Sequence, residues 1–337
     1  MAKLKYYALC CRGMPATKRH LTRIPKADLV IVINSQNSDY VTEATNWCVS
    51  ESIEHYVTAS DGTPSTGKNS VFDLFIASNN DYMVLVDGDD FITPHGLYIY
   101  DTIAQSASPP DAVALEFQFG LVPNNNYNTH LLHVDESSNA SVRDARDKLN
   151  QDHIHGWGLR IFQKPYEWWA AALDGTSVPH HDEFTEQCSN MHRRLMTHEH
   201  EYINGWESHL RIVFYSKAGA AFRFDPELLV GEDTMQYFRL KNAMVDGDID
   251  LRHLNEIYPT YVYDQRIEGI VGWANERDSG RGWLAWMTAL VSEFDRYLAE
   301  GKMHTTIPPA VVLPEPADDY RPDTLGLVNY PHRLPKY

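Results

Sequence analysis

The apolar run Tyr82–Val86 stops abruptly at Asp87-Gly88-Asp89-Asp90, which packs three carboxylates into four residues. An unbroken apolar stretch of that length predicts a strand buried on both faces, as in a parallel sheet covered by helices. The carboxyl end of such a strand is where open α/β sheets hold their ligands. Carboxylates crowded there repel one another unless a cation lies among them. A hard divalent ion, Mg²⁺ or Mn²⁺, matches their oxygen donors and usually keeps positions open for substrate phosphates. An acidic surface turn has the same composition, so the surrounding sequence has to decide.

Upstream, Gly62, Pro64, Ser65, Thr66 and Gly67 predict a loop, and Val71, Phe72, Phe75 and Ile76 mark one apolar helix face, which puts Lys68 and Asn69 near the helix start. Two earlier apolar runs have the same character. Residues 4–13 stop at Arg12-Gly13-Met14-Pro15, and residues 28–37 close in Asn34, Ser35 and Gln36, with Asp39 beyond. Both are expected as parallel strands with ligand loops at their carboxyl ends. Far downstream, Phe224-Asp225-Pro226 precedes Gly231-Glu232-Asp233, which opens a helix with Met235, Phe238 and Leu240 inward. An acid in a first turn is favoured by the helix dipole, and plain capping would explain it as well.

Taken together, the loop leading to Lys68-Asn69, the helix, the strand ending in Asp87-Gly88-Asp89-Asp90 and the later Gly231-Glu232-Asp233 resemble the GT-A nucleotide-sugar glycosyltransferases, family 2 in particular. The resemblance spans Lys3–Ala114 and Arg211–Arg266. It implies an α/β fold with a Rossmann-like, mostly parallel central sheet flanked by helices; beyond its span, helical period and prolines add a C-terminal helix and an extended tail. It implies Mn²⁺ or Mg²⁺ on Asp89 of a DXD motif, with Asp87 at the metal or the donor ribose. The implied donor is a nucleotide-sugar, with a UDP-sugar expected, contacted by Arg12, Asn34, Lys68, Asn69, Asp87 and Arg266. Asp233 takes the place of the general base of an inverting transfer, with Glu232 as the fallback. The chain departs from the family where Asn34-Ser35-Gln36 closes the second strand without an acid, and the frequent late histidine ligand has no clear counterpart beside Asp264 and Arg266. Family acceptors include glycans, lipid-linked sugars, proteins, small molecules and modified nucleobases in DNA, and nothing here selects among them.

Chemistry accounts for these residue types. Breaking a sugar–diphosphate bond leaves a multiply charged anion, which a bridging metal stabilises, while the acceptor hydroxyl loses its proton to a carboxylate within hydrogen-bond reach.

The 337 residues, 43% hydrophobic, suffice for a substantial core. We read residues 1–271 as the catalytic domain, with 124–210 an acceptor-side excursion, and 272–337 as a helix and Pro-rich tail packed on it. A formal net charge of −17 argues against broad attraction to nucleic acid or anionic membrane, although Arg193 and Arg194 form a local basic patch. Four cysteines, Cys10, Cys11, Cys48 and Cys188, include no CxxC, so free thiols in a reducing compartment are expected, with Cys10 and Cys11 as buried strand residues. No window has the apolar length of a membrane span, and the first residues lack a secretory pattern, so a cytoplasmic protein is expected.

Within the excursion, His153, His155, His180, His181, His192, His198 and His200 invite a zinc reading, but no HExxH or Cys/His ribbon supports it over scattered surface histidines. Trp168 and Trp169 suit stacking on a sugar or base, or a split between core and surface. Ser279-Gly280-Arg281-Gly282 reads equally as a phosphate-covering loop or a helix-start turn. The stripe Trp283, Trp286, Leu290, Phe294 and Tyr297 reads as a packing face. Two other classes compete. A nucleotidyltransferase would need a glycine-rich loop near the first strand, of which Arg12-Gly13 to Lys18-Arg19 is a faint version. A noncatalytic carbohydrate-binding or virion protein gives no reason for two separated acidic signatures.

Overall fold

The computed structural model describes residues 2–115, 118–123, 157–162, 211–228, 232–254, 260–264 and 308–313, with single positions at 292 and 299. The expected apolar runs form β1 (Leu4–Cys10), β2 (Leu29–Asn34) and β4 (Tyr82–Asp87), with β3 (Glu54–Thr58) at the edge. β1 pairs in parallel with β2 and β4, and β2 with β3. Every residue of β2 is buried, which is why it is apolar without alternation, whereas edge strand β3 leaves Tyr56 and Val57 exposed. The parallel pairings require crossovers, supplied by α1 (Met14–Leu21), α2 (Ser38–Glu51) and α3 (Pro64–Ala77).

The chain continues through β5 (Phe91–Ile92), α4 (Pro94–Ala104), β6 (Ala112–Leu115), β7 (Gln118–Pro123) and β8 (Trp157–Phe162). Next come β9 (Ile212–Ser216), α5 (Lys217–Ala220), α6 (Glu232–Asp246), β10 (Leu251–Leu254) and β11 (Tyr261–Asp264). Seven strands form one sheet in the order β10-β6-β9-β4-β1-β2-β3, in which β9 runs antiparallel to both its neighbours. A second sheet has the order β5-β11-β7-β8. This is the mostly parallel, helix-flanked α/β architecture expected from the sequence.

Each face of the large sheet has its own apolar core. On the α3 side, Phe72 meets the Tyr215 ring at 4.9 Å and the Phe224 ring at 5.3 Å. Burying a side chain of that size contributes roughly 1.5–3 kcal/mol. That packing docks α3 on β9 and on the segment leading to α6.

Between β4 and β5 the chain passes directly from the first sheet to the second, so Asp87–Asp90 is the seam between them. Gly88 makes this possible. Its N–H donates to Leu9 O at 2.8 Å, and a Cβ there would lie 2.6 Å from Cys10 Sγ and 2.9 Å from Leu9 O. A side chain would push the acidic loop off β1.

Three details differ from the sequence reading. α3 begins at Pro64, not after Gly67, because the Thr63 side chain accepts from Thr66 N and proline suits a first helical turn. Cys11 lies past the end of β1 and is exposed, while Cys10 is buried as expected. The strand that carries Asp264, described from Tyr261, belongs to a second sheet the sequence did not suggest, as does β8, which lies within the stretch read as an excursion. Residues 308–313 of the tail run along β10, with His253 N donating to Pro309 O at 3.0 Å and Val311 N to His253 O at 2.8 Å. Arg266, the histidine-rich stretch, Arg193, Arg194, Trp168, Trp169, Cys188 and the Ser279–Gly282 turn lie outside the described residues. Among those described, no helix is long and apolar enough to cross a membrane.

Candidate active site

At the carboxyl end of β4, Asp87 is paired with Arg211 at 2.8 Å, and Arg211 reaches Asp90 at 3.4 Å. The guanidinium stacks on the Tyr261 ring, 4.3 Å from its centroid. The Tyr261 hydroxyl donates to Asp90 Oδ2 at 2.7 Å and accepts from Asp87 N at 3.1 Å. Arg211 immediately precedes β9 and Tyr261 opens β11, so one residue beside each sheet closes on the loop that joins them.

The second cluster lies where α3 meets α6. Lys68 Nζ donates to Glu232 Oε1 at 2.8 Å and to Asp233 Oδ1 at 2.6 Å. The Asn69 side-chain amide donates to Phe224 O and accepts from Phe224 N, both at 2.9 Å. Ser65 Oγ donates to Leu228 O at 3.0 Å. The first turns of α3 thus hold the segment that leads into the Glu232-Asp233 helix start.

The two clusters form one electrostatic unit in which five carboxyl groups, Asp87, Asp89, Asp90, Glu232 and Asp233, face two buried cations, Lys68 and Arg211. Burial opposes the charge on Asp87, but Arg211 and then Lys68 hold its carboxyl below the ordinary range. Three of the others move the opposite way. Burial and the neighbouring Asp87 push Asp89 up to about 6. Burial and Asp89 raise Asp90 well above the usual carboxylate range, and burial raises Glu232 despite Lys68. Shifts of this kind, in carboxyls with named charged partners, cluster at functional sites.

Of the remaining expected contacts, Arg12 follows β1 and its charge acts on Asp89. Asn34 is buried, and its amide donates to Thr58 Oγ1 at 2.9 Å and Ala59 O at 2.8 Å, tying the ends of β2 and β3. Asp87, Asp89, Arg12, Lys68, Glu232 and Asp233 therefore share one neighbourhood. Arg211 and Tyr261 belong to it too, although sequence reading passed over both. Their only signal was position, a cation just before an apolar strand and a tyrosine at the start of another.

Among the described residues no group of three or more His, Cys, Asp and Glu side chains is arranged to hold a metal ion. The donor set does suit a hard cation of the kind held by one or two carboxylates and completed by substrate phosphates and water. Asp89, partly buried and with its carboxyl pushed up to about 6, is the group whose charged form such an ion would stabilise.

No protein-family model and no curated protein matches the chain. Among solved structures it is similar to S. aureus TarS 1-349, with a TM-score of 0.43 and 12% identity over 78% of this chain and 60% of that one. The same fragment in complex with UDP gives 0.44 and 10% over 78% and 60%, and in complex with UDP-GlcNAc 0.43 and 11% over 79% and 59%. The chain thus spans about 60% of the length of these structures. At identities of 10 to 12% and TM-scores below 0.5, the likeness assigns no residue a role.

Proposed function

We propose that this chain is a glycosyltransferase that moves a sugar from a nucleotide-diphosphate sugar, expected to be a UDP-sugar, to an acceptor hydroxyl with inversion, using Mn²⁺ or Mg²⁺. One observation carries the reading: two acidic pairs from distant parts of the chain, Asp87/Asp89 and Glu232/Asp233, meet in one cluster at the carboxyl end of a mostly parallel sheet, bridged by Lys68 and Arg211. A structural role alone does not require five carboxyl groups around two cations, because unneutralised buried charge destabilises a fold.

Asp89, with Asp87 beside it, would hold the metal, which when bound stabilises charge on the departing diphosphate. Arg12 supplies positive charge near the same carboxylate. Asp233, 27% exposed where Glu232 is 11%, is the better placed of the pair to accept a proton from an acceptor hydroxyl. The acceptor class, glycan, small molecule or modified nucleobase, follows from none of these residues.

A screen of UDP-, GDP- and TDP-sugars for hydrolysis without acceptor tests this reading. Turnover of at least one donor, lost in excess EDTA and restored by Mn²⁺, is the expected result. No turnover or binding of any donor, or nucleotidyl transfer in place of sugar release, would overturn it.

A further inference from the structure

Lys68 sits in the second turn of α3, where the sequence suggested a contact with the donor. Its side chain is 2% exposed, and the Phe224 ring lies 5.2 Å from Nζ. The ammonium has three donors, two of which go to Glu232 and Asp233. Burial alone would lower the Lys68 pKa, but Asp233 and then Glu232 raise it above the ordinary lysine value, so the cation is permanent. Ser65, Lys68, Asn69 and Phe72 lie at the i, i+3, i+4 and i+7 spacing of a single helix face. All four meet the segment from Phe224 to Asp233.

We propose that Lys68 is a positioning residue for the Glu232-Asp233 pair, held by this face of α3, and not a ligand of the donor phosphates. The proposal rests on the functional reading above. Lys68 orients the Asp233 carboxylate at the helix start and supplies a fixed positive charge beside it. Asp233 keeps 27% of its side-chain surface exposed, so the gripped carboxylate still reaches an incoming hydroxyl.

The test compares wild type, Lys68→Met and Lys68→Arg by UDP calorimetry with Mn²⁺ and by the pH dependence of donor hydrolysis. For both variants the UDP Kd stays within about threefold of wild type, while kcat at saturating donor falls by about a hundredfold in Lys68→Met and about tenfold in Lys68→Arg. In Lys68→Met the acid limb of the rate profile moves to higher pH, because losing a nearby cation disfavours the carboxylate. A UDP Kd weakened tenfold or more with kcat and profile unchanged would make Lys68 a donor ligand and overturn the proposal. So would an equal loss of activity in both variants with the acid limb unmoved, which marks a purely structural role. If Lys68→Met does not fold, Lys68→Arg, which keeps the charge, decides through its split between Kd and kcat. Failure of the functional reading is separately visible as a wild type that binds no nucleotide and hydrolyses no donor.

Discussion

The Arg211 and Lys68 clusters are built alike, with one buried cation between two carboxylates of which one stays about a quarter exposed, Asp87 at 25% and Asp233 at 27%, yet they differ in what holds the second acid. Around Arg211, Asp90 is fully buried, and its second partner is the Tyr261 hydroxyl. Around Lys68, Asp233 remains 27% exposed. With Asp90 buried against Tyr261, the Arg211 cluster is suited to holding the seam between the sheets, while the Lys68 cluster sits at the first turn of a helix. In both, the acids lie within three residues of each other and the cation comes from far away: 121 residues separate Arg211 from Asp90, and 164 separate Lys68 from Glu232.

The largest effect expected is on the Lys68 side. Asp233→Asn keeps size and much of the capping capacity, so donor hydrolysis should fall by about a thousandfold while UDP affinity and thermal stability stay near wild type. Calorimetry beside a rate assay checks this, and a dead Glu232→Gln with an active Asp233→Asn would move the base one residue upstream. On the Arg211 side, Arg211→Met removes the nearest counter-charge from Asp87 and from buried Asp90 and should cost about 3–5 kcal/mol in denaturant unfolding.

Lys241 sharpens the comparison from outside the site. It is 2% exposed, as Lys68 is, but burial pushes its pKa down to about 8, where carboxylates raise that of Lys68. Between about pH 8 and the ordinary lysine value the unfolded chain binds more protons at this position, so stability from this group rises with pH across that window. The gain should be at most about 3 kcal/mol, and Lys241→Met should remove it, as unfolding at pH 8 and pH 10 would reveal. The smallest effect belongs to Tyr261→Phe, which keeps the ring under Arg211 and removes the hydroxyl between Asp90 and Asp87 N. A loss of about 1–2 kcal/mol is expected, measured as a shift in denaturant midpoint.

The contrast also explains what was legible in the sequence. Strand β4 and its acids were readable because an apolar run ending in carboxylates is a local pattern, and the inward Met235, Phe238 and Leu240 of α6 followed from helical period alone. Arg211 and Tyr261 were not readable, since their roles exist only through pairings across 121 and 171 residues. Lys68 was noticed at the right helix end, but its partners depend on how α3 docks against α6, which no local pattern encodes. The second sheet escaped for the same reason: β5 is two residues long, and β7 and β8 are far apart in the chain.

On the proposed function, Asp87/Asp89 and Glu232/Asp233 serve one nucleotide-sugar site with divided roles. Calorimetric titration of UDP, with and without Mn²⁺, into wild type, Asp89→Ala and Asp233→Asn tests it most directly. The prediction is Mn²⁺-dependent binding at one site in wild type, lost in Asp89→Ala and retained in Asp233→Asn. UDP binding indifferent to both Mn²⁺ and Asp89, or no binding of UDP or any other nucleotide by the wild type, would contradict it.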